Sequence, residues 1–307
     1  MKVRLFVPKN GDLAYTEIPK CACSTIKQYL NAVGCGSFHD GDIHRVHPGL
    51  LRWRHDPLRI LGRLMRRRHH HFTCVRNPYA RVVSAFYDKV MNPQADGRMY
   101  GNAALRAAIR ARGVEPDVDP IVAFRRFVVL VRDSVVFADP VEADIHWLPM
   151  AWHAASAMRP SFAYEFGYDA ILHVESLVAD LPALLAERAP GRFADEAGLR
   201  VFNDSAGGGV RRTASVAAHF DATSRLLMQE AFYDDFVTFG YSTDPDVVEA
   251  RPMELAEINR RLAQVRMRMP KGGMRQRLRR LRGGGAKRET RVLPADLGIV
   301  DLGAAHG

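Results

Sequence analysis

Cysteine is scarce. Four occur in 307 residues, Cys21, Cys23, Cys35 and Cys74, and no two make a CxxC pair. That spacing fits neither a zinc site nor a disulfide scaffold, and it reads as reduced thiols in a reducing compartment. Long apolar runs are missing too: nothing approaches the roughly 20 residues a membrane helix needs. The start, Met1 to Val7, meets Lys9 and Asn10 too soon to hold a signal-peptide core. A soluble, cytoplasmic protein is expected. The net charge of +10 is also absent from most of the chain, since residues 251–307 carry +9 of it and residues 1–250 only +1. A nucleic-acid binder would carry the excess on its body, so no nucleic-acid partner is expected. No internal repeat is present.

What remains is ordinary for a globular enzyme, with 47% hydrophobic residues and enough chain for a substantial core. Leu13 to Ile18, Phe72 to Val75 and Tyr168 to Val174 are predicted strands. Ser24 to Val33 is a predicted helix stopped by Gly34, and residues 35–70 are expected to be irregular. Asn77 caps a further helix with Pro78 in its first position. Helical segments follow around Ala103 to Ala111, Ile121 to Leu130, Glu175 to Arg188 and Thr223 to Phe239, the last closed by Gly240. Repeated strand-turn-helix units predict an α/β fold with a central parallel sheet flanked by helices. The predicted domain covers residues 1–250. Residues 251–307 read as a basic, partly disordered tail, with helical potential from Met253 to Met269.

The first chemical signal is Ile18-Pro19-Lys20-Cys21-Ala22-Cys23-Ser24-Thr25, a strand running through a short loop into a helix. Orphan N–H groups of a first helical turn and the helix dipole both favour an anion there. Lys20 adds a full charge, and Ser24 and Thr25 add hydroxyls. A nucleotide triphosphatase needs GxxxxGK[ST]. Here no glycine lies between Ile18 and Leu30, and Lys20 precedes Ser24 by four residues. An ordinary capped helix beside a solvated Lys20 would share this local sequence.

The second signal is Arg76-Asn77-Pro78 with Ser84 eight residues after the arginine. Arg76 stands at a predicted strand end, where α/β folds place ligand contacts, and its fork suits a phosphate. Arg81 reads as a neighbouring surface or supporting charge. Together the two segments resemble the 5′-phosphosulfate loop and the 3′-phosphate element of sulfotransferases that use 3′-phosphoadenosine-5′-phosphosulfate (PAPS). The resemblance is closest to carbohydrate sulfotransferases of the chondroitin/dermatan/HNK-1 type. It continues through His146-Trp147-Leu148-Pro149, Tyr168-Asp169 ahead of Glu175-Ser176-Leu177, and Tyr233 to Tyr241. It implies a P-loop-like sulfotransferase fold and PAPS as co-substrate without a metal. Lys20, Cys21, Ala22, Cys23, Ser24 and Thr25 would then wrap the phosphosulfate, and Arg76 and Ser84 would hold the 3′-phosphate. Lys20 would sit on the bridging oxygen. The acceptor would be a hydroxyl of a glycan or glycolipid. Animal members are membrane-anchored Golgi enzymes with disulfides, so this chain is expected to be a bacterial, cytosolic relative.

Proton removal from the acceptor needs a base with a suitable pKa. His47, between the two elements and three residues from His44, is the first choice. His146 is the rival, and Glu17, Asp40 and Asp42 are outside candidates. Arg211 and Arg212 follow the run Ser205 to Gly209, and Arg212 is a further nucleotide-contact candidate in a closing loop. Arg66 to His71 reads as a solvated basic approach to a strand, because three adjacent histidines on an extended chain cannot face one ion. Trp147, Trp152, Tyr164 and Phe166 suit either a sugar-stacking surface or the core. The arginines from Arg275 to Arg282 suit a weak contact with the inner face of a membrane. Two other classes stay open: a P-loop-type nucleotide kinase or phosphotransferase, and a non-catalytic nucleic-acid binder acting through the tail.

Overall fold

The computed structural model describes residues 4–66, 69–91, 103–115, 117–137, 144–158, 167–191, 200–202 and 215–269. In chain order the elements are β1 (Leu5–Pro8), β2 (Leu13–Thr16), α1 (Cys23–Cys35), β3 (Leu50–Arg52), α2 (Pro57–Arg66), β4 (His70–Val75) and α3 (Pro78–Phe86). A single π-helical turn, Tyr87–Met91, extends α3. Then come α4 (Ala103–Ala111), α5 (Pro120–Val136), α6 (Met150–Ala157), β5 (Ala170–His173), α7 (Leu177–Arg188), α8 (Ala222–Phe239) and α9 (Leu255–Arg268).

The five strands form one sheet in the order β3-β1-β2-β4-β5. The three strands expected from the sequence, β2, β4 and β5, are the parallel ones. The expectation of a parallel sheet needs one correction: β1 runs antiparallel to both β2 and β3. Only residues 9–12 join β1 to β2, too few for the crossover that parallel strands require. Side chains alternate between two covered faces. Phe6, Leu13, Tyr15 and Phe72 enter the main core, whereas Leu5, Val7, Ala14 and Leu51 pack with Ile60 of α2 on the other side. Residues 35–70, expected to be irregular, therefore supply both an edge strand and the helix that covers it.

Helix α1 does not stop at Gly34. It ends at Gly36, whose φ of 87° suits glycine. Gly34 has a different cause, because a Cβ there would lie 1.9 Å from the carbonyl oxygen of Gly49. The two backbones touch, and only hydrogen fits between them. The start of α3 is as expected: Asn77 accepts from the N–H groups of Tyr79 and Ala80, and Pro78 follows. Helix α9 lies inside the span read as a tail. Its Ile258, Leu262 and Val265, spaced along one face, are buried in the main core. The packed body therefore runs past residue 250 to Met269. The arginine-rich stretch beyond it lies outside the described residues. Among the described residues, no helix is long and apolar enough to cross a membrane.

Candidate active site

Strands β2 and β4 are parallel neighbours, so the segments that leave their C-terminal ends emerge side by side. The segment after β2 is strained. Lys20 (φ 68°) and Ala22 (φ 52°) are its two left-handed residues, and neither is glycine. Such conformations cost of order 1–3 kcal/mol each and persist only where surroundings impose them. Two arginines impose them here. Arg81 Nε donates to the carbonyl of Pro19 at 3.0 Å, and Arg76 Nη1 donates to the carbonyl of Lys20 at 3.3 Å. Ala22 is the N-cap of α1, and no side chain caps that turn. An N-terminal turn left uncapped by side chains, with the positive end of the helix dipole, suits an anion.

The side chains of the loop divide into distinct tasks. Lys20 Nζ stands 2.9 Å from Asp88 Oδ2, and Lys89 Nζ is 3.0 Å from the same oxygen. Burial pulls the Lys20 ammonium down in pKa, and Asp88 opposes that. Burial also disfavours the charged form of Asp88, yet Lys20 and Lys89 hold its carboxyl below the ordinary range. Asp88 sits in the π-helical turn, a local irregularity often found at functional sites. Cys21 is buried against Met150, sulfur to sulfur 3.5 Å, and burial pushes its thiol up to about 12. Burial also raises Cys23. Both thiols are walls, not nucleophiles. Thr25 Oγ1 accepts from the N–H of Phe202 at 3.0 Å, so this hydroxyl ties a distant segment to α1. Ser24 Oγ is 2.8 Å from His44 Nε2.

At the second element, Asn77 N–H donates to Glu175 Oε1 at 2.7 Å, and Tyr241 donates to Glu175 Oε2 at 2.9 Å. Three segments distant in sequence thereby fix the start of α3. Arg76 is only partly buried, with its guanidinium reaching back to the first loop. Ser84 is buried, and its hydroxyl has no hydrogen-bond partner among the described residues. Arg76 and the unsatisfied Ser84 hydroxyl are donors of the kind a phosphate oxygen satisfies.

The histidines separate by their partners. His47 bonds the carbonyl of Ile43 through Nδ1 and packs edge-on against Phe6. His44 is joined to Ser24 and, through Nδ1, to Lys27 Nζ at 2.5 Å. His146 Nδ1 lies 2.6 Å from Asp144 Oδ1. With the carboxylate accepting from Nδ1, the lone pair of His146 is on Nε2, the arrangement of an oriented base. Burial lowers the His146 pKa, and the charges of Lys89 and Lys20 lower it further. The charge of Lys20 reaches His146, whereas His47 feels Arg52 and Lys27. Asp42 holds the backbone N–H of His44 and Asp40 is exposed, while Glu17 is buried between two cations. Glu17, Cys23 and His44 have donor atoms within 4.8 Å of one another, a grouping a metal ion could use. Lys27 Nζ, 3.0 Å from Glu17, already supplies the positive charge there.

The sulfotransferase family model matches residues 3–242. The chain belongs to the sulfotransferase family. Among curated proteins it is similar to carbohydrate sulfotransferase 8 of Homo sapiens, 29% identical over 249 residues, covering 78% of this chain and 55% of that protein. The mouse (Mus musculus) carbohydrate sulfotransferase 8 is 28% identical over 249 residues, with 78% and 56% covered. Human carbohydrate sulfotransferase 9 is 25% identical over 257 residues, with 78% and 53% covered. The chain spans about half the length of these relatives. No solved structure matches it at a comparable level.

Other motifs of this sulfotransferase chain are structural. Asp235 accepts from the N–H groups of Met150 and Ala151 and so caps α6 behind the His146-Trp147-Leu148-Pro149 segment. Trp147 is core, and Trp152 donates to Asp234. Tyr164, Phe166, Arg211 and Arg212 lie outside the described residues. His69 and His71 are not a solvated approach: both are buried, and His71 bridges Thr16 Oγ1 and the carbonyl of Gly167. Of the two readings of Arg81, surface or supporting charge, the second holds: it is wholly buried and donates to the Pro19 carbonyl. One residue beside the loop escaped the sequence. Asp88 had a signal in its neighbour Lys89, but the pairing with Lys20 spans 68 residues.

Proposed function

We propose that this chain transfers a sulfuryl group from PAPS to a hydroxyl of a carbohydrate. The observation that carries the proposal is the junction of the two elements, where the arginine of the second loop holds the strained backbone of the first. A single nucleotide with phosphoryl groups at both its 5′ and 3′ ends would explain why the two are locked together. Family membership and the carbohydrate sulfotransferases among its relatives support the same view.

In this scheme PAPS supplies the sulfuryl group and departs as 3′-phosphoadenosine-5′-phosphate. His146 Nε2 takes the proton of the acceptor hydroxyl as its oxygen bonds to sulfur. The bond from sulfur to the phosphate oxygen breaks, and its electron pair stays on the phosphate. Lys20 and the first-turn N–H groups stabilise that charge, as preorganised donors do in acyl and phosphoryl transfer. Asp88 orients Lys20 without covering its charge, because Lys89 shares the carboxylate. Arg76 and Ser84 hold the 3′-phosphate, and Arg212 joins them. A glycan or glycolipid acceptor, a metal-free reaction and a cytoplasmic setting with weak membrane contact through the tail complete the proposal. The four free cysteines suit a reducing compartment.

The test is calorimetric binding of 3′-phosphoadenosine-5′-phosphate against ATP with magnesium, followed by labelled-sulfate transfer from PAPS to a carbohydrate panel. Binding of the former alone is expected. Preference for ATP with magnesium would return the kinase alternative.

A further inference from the structure

The proposed chemistry makes no use of Glu175 or Tyr241, yet both reach the start of α3. Asn77 is the N-cap there, and a capping box would place Glu or Gln at the third helical position to accept the Asn77 N–H. That position is Ala80. Glu175, just after β5, takes its place, with Oε1 accepting from the Asn77 N–H at 2.7 Å. Glu175 Oε2 accepts from the Tyr241 hydroxyl at 2.9 Å. The phenol oxygen also lies 2.9 Å from His173 Nδ1. A phenol has one hydrogen, and here it goes to the carboxylate, so Nδ1 donates to the phenol oxygen. Pairing of β4 with β5 sets up this contact. Val75 faces His173, and the N–H of Val174 donates to the Val75 carbonyl at 2.9 Å. The Asn77 side-chain amide donates to the carbonyls of Val247 and Val248, so the segment after α8 is fastened to the same cap.

We infer that Glu175 and Tyr241 are positioning residues for the 3′-phosphate: they hold Arg76 and Ser84 in register and so set the preference for a nucleotide phosphorylated at both ends. Arg76 immediately precedes the N–H that Glu175 holds. Ser84 rides on the helix that the same Asn77 caps. One carboxylate therefore fixes the point from which both phosphate donors are measured. The N–H of Arg76 itself meets Met150 Sδ at 3.3 Å, and a thioether is a weak acceptor. The firm hold on this turn is the shorter, charge-assisted bond to Glu175. Tyr241 in turn aims the carboxylate, because its hydroxyl occupies the second oxygen. The inference rests on Arg76 and Ser84 being the 3′-phosphate pair, and it extends that site to two residues that do not touch the ligand.

The full chain is titrated calorimetrically with 3′-phosphoadenosine-5′-phosphate and with adenosine 5′-phosphate, as wild type, Glu175→Ala, Glu175→Gln and Tyr241→Phe. The wild type prefers the doubly phosphorylated nucleotide. Glu175→Ala weakens that nucleotide about tenfold, the cost of one charge-assisted hydrogen bond. Tyr241→Phe weakens it about threefold, and Glu175→Gln, which keeps an acceptor for the Asn77 N–H, stays within about threefold of wild type. Adenosine 5′-phosphate moves by less than about twofold in all three, because its phosphate sits at the other loop. A residue that merely supports the fold would weaken both nucleotides alike. Equal losses for the two nucleotides, or unchanged binding of 3′-phosphoadenosine-5′-phosphate by Glu175→Ala, overturns the inference. Tyr241→Phe removes only one oxygen and decides the matter if Glu175→Ala does not fold: unchanged binding there overturns it too. Phosphorus NMR of the bound nucleotide reads the two ends separately. In Tyr241→Phe the 3′-phosphate resonance is expected to move and the 5′ resonance to stay, and the reverse overturns the inference. A wild type that shows no preference between the nucleotides sinks the 3′-phosphate pair itself, a distinct outcome.

Discussion

Lys20 Nζ and Asp88 Oδ2 lie 2.9 Å apart across 68 residues of sequence, and Lys89 reaches the same carboxylate oxygen. The loop lysine is therefore aimed by a partner on the π-helical turn after α3. Replacing Lys20 by Met is expected to lower kcat by about 10²–10³, the loss typical of one preorganised donor at a developing charge. Asp88→Asn should lower kcat about tenfold, while the Kd for 3′-phosphoadenosine-5′-phosphate moves little. Steady-state turnover beside calorimetry separates the two effects.

Arg76 donates to the Lys20 carbonyl, and in the proposed scheme it also holds the 3′-phosphate. Arg76→Ala should weaken 3′-phosphoadenosine-5′-phosphate by about 10–100-fold. Ser84→Ala should weaken it by about tenfold. Adenosine 5′-phosphate, which lacks the 3′-phosphate, should respond far less to Ser84→Ala. Equal losses for both nucleotides would move Ser84 out of the 3′ site.

His146 has a carboxylate behind it, and burial with two lysines lowers its pKa. A base works deprotonated, so a lowered pKa extends activity toward acid. The acid limb of kcat against pH is expected below the ordinary histidine value of about 6.5. His146→Ala should cost about 10²–10⁴ in kcat, and His47→Ala should leave turnover near normal.

Burial alone would raise the Glu17 carboxyl, but Lys27 and Arg4 bring it down from 4.5 to about 2. A depressed carboxyl stabilises the fold above its unfolded pKa, and that stability disappears as pH falls from 4.5 toward 2. The contribution at neutral pH is on the order of 3 kcal/mol. Urea midpoints at pH 6 should show Glu17→Gln less stable by a comparable amount. Its stability should depend less on pH below 4.5.

Gly34 lies inside α1, where alanine would ordinarily gain about 1 kcal/mol. The Gly49 carbonyl reverses that sign, because the added Cβ would stand 1.9 Å from its oxygen. Gly34→Ala is expected to destabilise by about 2–4 kcal/mol, measured by thermal or urea unfolding.

Local chemistry was legible from the chain. The Asn77-Pro78 start of α3, the Gly240 stop of α8 and the three parallel strands need only neighbouring residues and periodicity. Gly34 misled because its role comes from Gly49, fifteen residues away. Helix α9 was placed in a tail because the basic charge after residue 250 outweighed the spacing of Ile258, Leu262 and Val265. The antiparallel β1 was missed because four apolar residues at a chain start carry little signal.

The sequence by itself determined the strand-loop-helix at Ile18 to Thr25, because residue type, order and missing glycines are local facts. It also set the Arg76–Ser84 spacing, since eight residues along a cap and helix fix where both groups begin. Tertiary structure alone decided which charges face each other. Lys20 meets Asp88, Arg81 grips the loop from within, and Lys27 meets both Glu17 and His44. Such pairings join side chains whose separation along the chain says nothing of their separation in space. Folding brings them together, and exclusion of water then lets a buried charge or a single hydrogen bond define the chemistry of the site.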